Sequence, residues 1–230
     1  MLIIFDCDGV LVDSEGLANQ ALVDYLTELQ IQIPFSEALR LFTGRRMKEC
    51  LQEIEKISGQ VLPENFETHF RQRMDLAFEK SLKAISGIED ALKNIPYPKC
   101  VASNAPLQKI NKNLTLTDLH KYFDGNIFSS YTIQKWKPEP DLFLHACQTM
   151  GAQPHESVVI EDSALGVEAA RRAGMRVLHF THSEDPLPGF RKLTSETWPD
   201  YRAFGNMFDL PGLVSETTKN NPKGPPIRTY

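Results

Sequence analysis

Short, continuous apolar runs recur along the chain: Leu2-Ile3-Ile4-Phe5, then 99–102, 126–128, 157–160 and 175–180. A strand exposed on one side alternates apolar with polar residues, whereas an unbroken apolar run suits a strand covered on both faces. Around these runs lie stretches of helical period at 87–95, 106–119, 139–150 and 164–173. Pro106 stands at the expected first turn of the second stretch, and Gly174 stops the last. Strands alternating with helices predict an α/β fold with a doubly wound, Rossmann-like parallel sheet.

Residues 14–83 break that rhythm. Leu17, Ala18, Ala21, Leu22, Tyr25, Leu26 and Leu29 recur at three- and four-residue spacing, and further helices are expected at 36–41, 47–58 and 63–80. The pattern predicts a helical domain, 14–83, inserted into a core made of 1–13 and 84–215. From 216 to 230 the chain turns polar and rich in Pro and Gly, as in Lys223-Gly224-Pro225-Pro226, and a flexible tail is expected there.

Composition narrows the function. Twenty-five basic against 30 acidic residues leave a formal charge of -5, which argues against a protein that binds nucleic acid by neutralising phosphates. No apolar run approaches the ~20 residues of a membrane span, and Asp6 and Asp8 interrupt the N-terminal one. The first basic residue is Arg40, so neither a basic signal region nor an Arg-rich transit segment is read at the start. A cytoplasmic protein is expected. Cys7, Cys50, Cys100 and Cys147 form no C-x-x-C and are read as reduced, buried fillers.

The informative residues follow the strands. Asp6 and Asp8 come directly after the first run, where ligands of open parallel sheets bind, and Gly9 behind them permits close approach. Glu161-Asp162 repeats the arrangement after the run 157–160. Four carboxylates crowded at two strand ends repel unless a cation is present, and an all-oxygen ligand set favours a hard ion such as Mg²⁺. Each pair also has a plainer reading: Asp-Gly is a common turn, and Asp162 or Ser163 can cap the following helix.

Between the pairs, Ser103-Asn104-Ala105 precedes a helix, whose free N–H groups together with the Ser hydroxyl could cradle a phosphate. Lys137, stiffened by Pro138 and Pro140, offers a point charge suited to phosphate oxygens. Alone, Ser103 reads equally as a cap and Lys137 as a surface lysine. Thr43-Gly44-Arg45-Arg46 breaks two of the inserted helices. Its guanidinium groups are either a solvated loop pair or a fork for a carboxylate or phosphate.

In order, Phe5-Asp6-Cys7-Asp8-Gly9-Val10-Leu11-Val12-Asp13, Ser103-Asn104, Lys137-Pro138-Glu139-Pro140 and Glu161-Asp162-Ser163-Ala164-Leu165-Gly166 strongly resemble the haloacid dehalogenase-like hydrolases. The resemblance extends to about residue 215. The stretch 131–138 looks more narrowly like bacterial 6-phosphogluconate phosphatases within the beta-phosphoglucomutase-like group.

The resemblance implies a phosphomonoester hydrolase acting on a small phosphorylated metabolite, a sugar phosphate such as 6-phosphogluconate. Asp6 would be the nucleophile that becomes an aspartyl-phosphate, and Asp8 the acid and base. Mg²⁺ would be held by Asp6, the Asp8 carbonyl and Asp162, with Glu161 beside it or reaching it through water. Ser103, Asn104, Ala105 and Lys137 would bind the phosphoryl group. The inserted helices would form a cap, with Arg45 and Arg46 facing a second anionic group of the substrate. A monomer with no nucleic-acid or membrane partner is expected. The mutases of this group carry a His ten residues beyond the second Asp; here that position is Ala18, which points to water as the acceptor. A mutase is the alternative within the family. A phosphoacceptor signalling domain or a silent scaffold of the same fold is the alternative outside it.

Overall fold

A computed structural model of the chain describes residues 1–42, 47–181 and 198–219. The core begins with β1 (Leu2–Phe5), whose four residues are all buried. After the inserted helices come α5 (Ile88–Asn94), β2 (Lys99–Ser103), α6 (Leu107–Leu116) and β3 (Ile127–Ser129). Then follow α7 (Ser130–Ile133), α8 (Asp141–Thr149), β4 (Ser157–Glu161), α9 (Ala164–Arg172), β5 (Arg176–Phe180), β6 (Tyr201–Phe204) and α10 (Leu210–Lys219). The six strands form one parallel sheet in the order β3-β2-β1-β4-β5-β6.

Side chains alternate across this sheet, so one strand supplies two apolar layers. Leu2 and Ile4 join Val159, Val177, Phe143 and Val167 in a core that brings in α8 and α9. Ile3 and Phe5 are equally buried, and Phe5 meets Phe123 edge to face at 6.0 Å. The chain winds outward from β1 through β2 to β3, then returns and winds the other way from β4. The reversal falls between β1 and β4, where the two crossovers diverge and leave a crevice at the strands' carboxyl ends.

The second compact unit spans Val12–Lys83, against Met1–Leu11 with Ala84–Tyr230 for the first. Its helices are α1 (Glu15–Glu28), α2 (Phe35–Phe42), α3 (Met47–Ser58) and α4 (Phe66–Ser81). Phe66, Phe70, Met74 and Phe78 recur every fourth residue of α4 and are buried, and the Phe66 ring stacks on Tyr25 of α1 at 4.7 Å. The division falls after Leu11, two residues earlier than the expected 13/14. The chain has already left the sheet by then, with Asp13 N–H donating to Lys83 O at 2.9 Å.

Three core elements were not expected: the one-turn α7, β6 and α10. β6 is the short edge strand Tyr-Arg-Ala-Phe, in which only the end residues are buried, so it offers no apolar run. α10 overlaps the expected tail at 216–219. Pro211 and Gly212 disguise it in sequence, but Leu210, Leu213 and Val214 are buried and Arg176 Nη1 donates to Thr217 O at 2.6 Å. Residues 220–230 and the Thr43-Gly44-Arg45-Arg46 loop lie outside the described residues.

Candidate active site

β1 and β4 pair in register, Phe5 against Ile160, and Asp6 N–H extends the ladder by donating to Ile160 O at 3.0 Å. The register places Asp6 and Glu161 side by side across the crevice. Lys137 joins them: its Nζ lies 2.6 Å from Asp6 Oδ1 and 2.6 Å from Glu161 Oε1. The sequence allowed Lys137 to be a surface residue. It is 2% exposed, with its ammonium 4.9 Å from the Phe143 ring centroid.

Glu161 is wholly buried and its other oxygen is also engaged. Ser163 donates to Oε2 twice, through N–H at 2.8 Å and Oγ at 2.9 Å. Ser163 Oγ in turn accepts from Gly166 N–H at 3.0 Å, so the same residue caps α9 and fixes the carboxylate. A Cβ at Gly166 would lie 1.7 Å from Glu161 Oε1, which explains the glycine there. Gly9 plays the matching part on the other side. Its φ is +82°, and a Cβ would sit 2.0 Å from Asp162 Oδ2.

The charges are unevenly balanced. Burial pushes the Asp6 carboxyl well above the ordinary carboxylate range; Lys137 opposes this, and the negative charges of Glu161 and Asp162 add to it. Burial disfavours the Lys137 ammonium, but Asp6 and Glu161 outweigh it, so the lysine stays protonated far above neutral pH. The Lys137 ammonium thus pairs with two carboxylates, Asp6 and Glu161, while Asp162 adds a further negative charge near Asp6. Among the described residues, no three His, Cys, Asp or Glu side chains form a ready-made metal cage. The donor chemistry nevertheless fits a hard cation: the donors are all oxygen, the surplus charge is negative, and Gly9 leaves room for the Asp162 carboxylate.

Asp8 takes different partners. β1 ends at Phe5 and the chain bends at Cys7, so strand alternation no longer governs Asp8. Its carboxylate accepts from Lys109 Nζ at 2.9 Å and from Asn113 Nδ2 at 3.4 Å, both on α6. Cys7 between the two aspartates is buried, and burial pushes its thiol well up, which disfavours the thiolate.

At the end of β2, Ser103 is 2% exposed and its Oγ accepts from Ala105 N–H at 3.1 Å. The Asn104 side chain ties loops together: its Oδ1 accepts from Ser130 Oγ at 2.7 Å and from Lys137 N–H at 3.0 Å. Ser129 Oγ donates to Ala105 O at 2.6 Å. These bonds fix the Lys137 loop to the β2 end. Sequence reading missed Lys109, Asn113, Ser129 and Ser130. Only the helical spacing of Lys109 and Asn113, just after Ser103-Asn104, offered a signal.

A doubly wound parallel sheet whose first and fourth strands end in carboxylates around one buried lysine defines the class. The chain belongs to the haloacid dehalogenase-like hydrolase family, whose model matches residues 3–180. It is similar to a 6-phosphogluconate phosphatase of Escherichia coli, 33% identical over 179 residues, covering 77% of this chain and 81% of the relative. It also resembles a phosphorylated carbohydrates phosphatase of Thermotoga maritima, 32% identical over 189 residues, covering 79% and 85%. Among solved structures, a haloacid dehalogenase-like protein of Agrobacterium tumefaciens superposes with a TM-score of 0.82 at 34% identity, covering 94% of this chain and 98% of that one.

Proposed function

We propose that this phosphatase hydrolyses the monoester of a small phosphorylated sugar or sugar acid through an aspartyl-phosphate on Asp6, with Mg²⁺ as its cofactor. The observation that carries the proposal is Lys137, buried and bonded at 2.6 Å to both Asp6 and Glu161 where β1 meets β4. A protonated lysine in that place favours the ionised form of Asp6 against the effect of burial and offsets the charge of an arriving phosphate.

An Asp6 oxygen attacks phosphorus as the bond to the leaving alkoxide breaks, and Asp8 gives that alkoxide its proton. Asp8 then takes a proton from water, which attacks the aspartyl-phosphate and releases inorganic phosphate and Asp6. Splitting the reaction replaces one difficult displacement with two easier ones. Ser103, the backbone amides of Asn104 and Ala105, and Lys137 bind the phosphoryl oxygens. The Asp6 and Asp162 carboxylates and the Asp8 carbonyl would hold Mg²⁺, which supplies charge stabilisation of the phosphoryl group when bound. Glu161, with both oxygens engaged, positions Lys137. The two carbohydrate-directed relatives support a sugar phosphate. Arg45 and Arg46 are the sequence's candidates for a second anionic group, such as the carboxylate of 6-phosphogluconate. Ala18 on α1 offers no group to relay a proton to a sugar hydroxyl, which favours water as acceptor.

Phosphate release from 6-phosphogluconate, glucose 6-phosphate and p-nitrophenyl phosphate tests the reading, with Mg²⁺ and with EDTA. Activity should vanish in EDTA and return with Mg²⁺, and Asp6→Asn should abolish it on every substrate. Near-normal turnover by Asp6→Asn would sink the covalent mechanism.

A further inference from the structure

Proton transfer by Asp8 needs its carboxyl held in place, and α6 supplies the hold. Lys109 and Asn113 stand four residues apart, one helical turn, and therefore share a face. Each contacts a different Asp8 oxygen, Lys109 at Oδ2 and Asn113 at Oδ1. Two separate contacts fix the rotation of a carboxylate in a way that one cannot.

Asn113 gives a second, independent sign. It is 1% exposed, and its Oδ1 has no hydrogen-bond partner among the described residues. A buried acceptor left unsatisfied costs stability. Turning the amide over would set its oxygen against the Asp8 carboxylate, acceptor against acceptor. The orientation that strands Oδ1 is therefore the one that serves Asp8, as expected of a group retained for the site rather than for packing.

We propose that Lys109 and Asn113 are positioning residues that clamp the Asp8 carboxyl for proton delivery to the leaving group. The proposal rests on Asp8 being the leaving-group acid. In that step the Asp8 O–H bond breaks, its proton goes to the departing oxygen, the phosphorus–oxygen ester bond breaks and the Asp6–phosphorus bond forms. Neither α6 residue touches the reacting atoms.

The test uses two aryl monoesters of similar shape, phenyl phosphate and p-nitrophenyl phosphate. The nitrophenolate leaves with little help from an acid, whereas the phenolate needs it. kcat/KM isolates the first transfer. Lys109→Met should lower kcat/KM for phenyl phosphate about tenfold more than for p-nitrophenyl phosphate, a part of the roughly 10²–10⁴ that a general acid contributes. Asn113→Leu should act in the same direction with a smaller effect, and Lys109→Arg, which keeps the charge, should restore most of the loss. Equal losses on both esters, or no rescue by Arg, would overturn the clamp. Asp8→Asn separates the two layers of the argument. If it shows the leaving-group difference and Lys109→Met does not, the clamp fails alone; if Asp8→Asn shows none, the acid assignment fails and takes the clamp with it.

Discussion

Lys137 illustrates how a residue's surroundings change its energetics. In sequence it reads as a loop lysine whose removal would cost turnover but little stability. In the structure it is 2% exposed and ion-paired with both Asp6 and Glu161. Removing one member of a buried ionic cluster leaves its partners uncompensated, at about 3–5 kcal/mol. Lys137→Met should therefore destabilise the protein by that order and also lower turnover about 10²–10³-fold. Urea unfolding at neutral pH checks the first effect, and steady-state rates at a temperature where the variant remains folded check the second. A variant as stable as the parent would contradict the burial argument.

At the scale of the element, α9 shows how local chemistry secures a helix that carries the site. Ser163 caps its start and Glu168 binds both arginines of its last turn. Arg171 Nε and Nη2 donate to Glu168 at 2.7 and 2.8 Å, and Arg172 Nε donates at 2.8 Å. The Arg171 hydrogen bond, offset in part by burial and joined by Arg172, lowers the Glu168 carboxyl from an ordinary 4.5 to about 2. A carboxyl held lower in the folded state stabilises above its unfolded value and loses that contribution as pH falls towards its folded value. The pairs are largely exposed and screened, so the gain is under about 1 kcal/mol. Glu168→Gln should be less stable than the parent by that small margin at pH 7, with the difference closing between about pH 4.5 and pH 2. Paired urea titrations across that range measure it, and a difference that persists at pH 2 would exclude the ion pairs as its source.

For the molecule as a whole, the late elements decide whether the sheet is complete. β6 pairs with β5 through Val177–Tyr201 to Phe180–Phe204, and α10 buries Leu210, Leu213 and Val214. Each such side chain contributes about 1.5–3 kcal/mol by leaving water, against a total stability of roughly 5–15 kcal/mol for a domain. A chain ending at Asp209 should therefore lose most of its stability, seen as a urea midpoint shifted far down or no cooperative transition. A midpoint close to that of the full chain would show that α10 is dispensable.

The apolar runs and motifs legible in sequence share one property: each is local. Leu2–Phe5 reads as a buried strand because four adjacent apolar residues need no context, and the order of Asp6, Ser103, Lys137 and Glu161 follows from the chain itself. β6 and α10 escaped because Arg202, Pro211 and Gly212 interrupt their patterns, and their buried residues gain meaning only against the sheet. The contacts of the site were equally beyond reach. Lys137 meets Asp6 across 131 positions and Lys109 meets Asp8 across 101, and Glu161 is bound from two separate loops. Sequence determined which groups are present and at which strand ends. The strand order, by bringing β1 beside β4 and placing α6 near Asp8, decided which charges face one another in a buried space where each must find a partner.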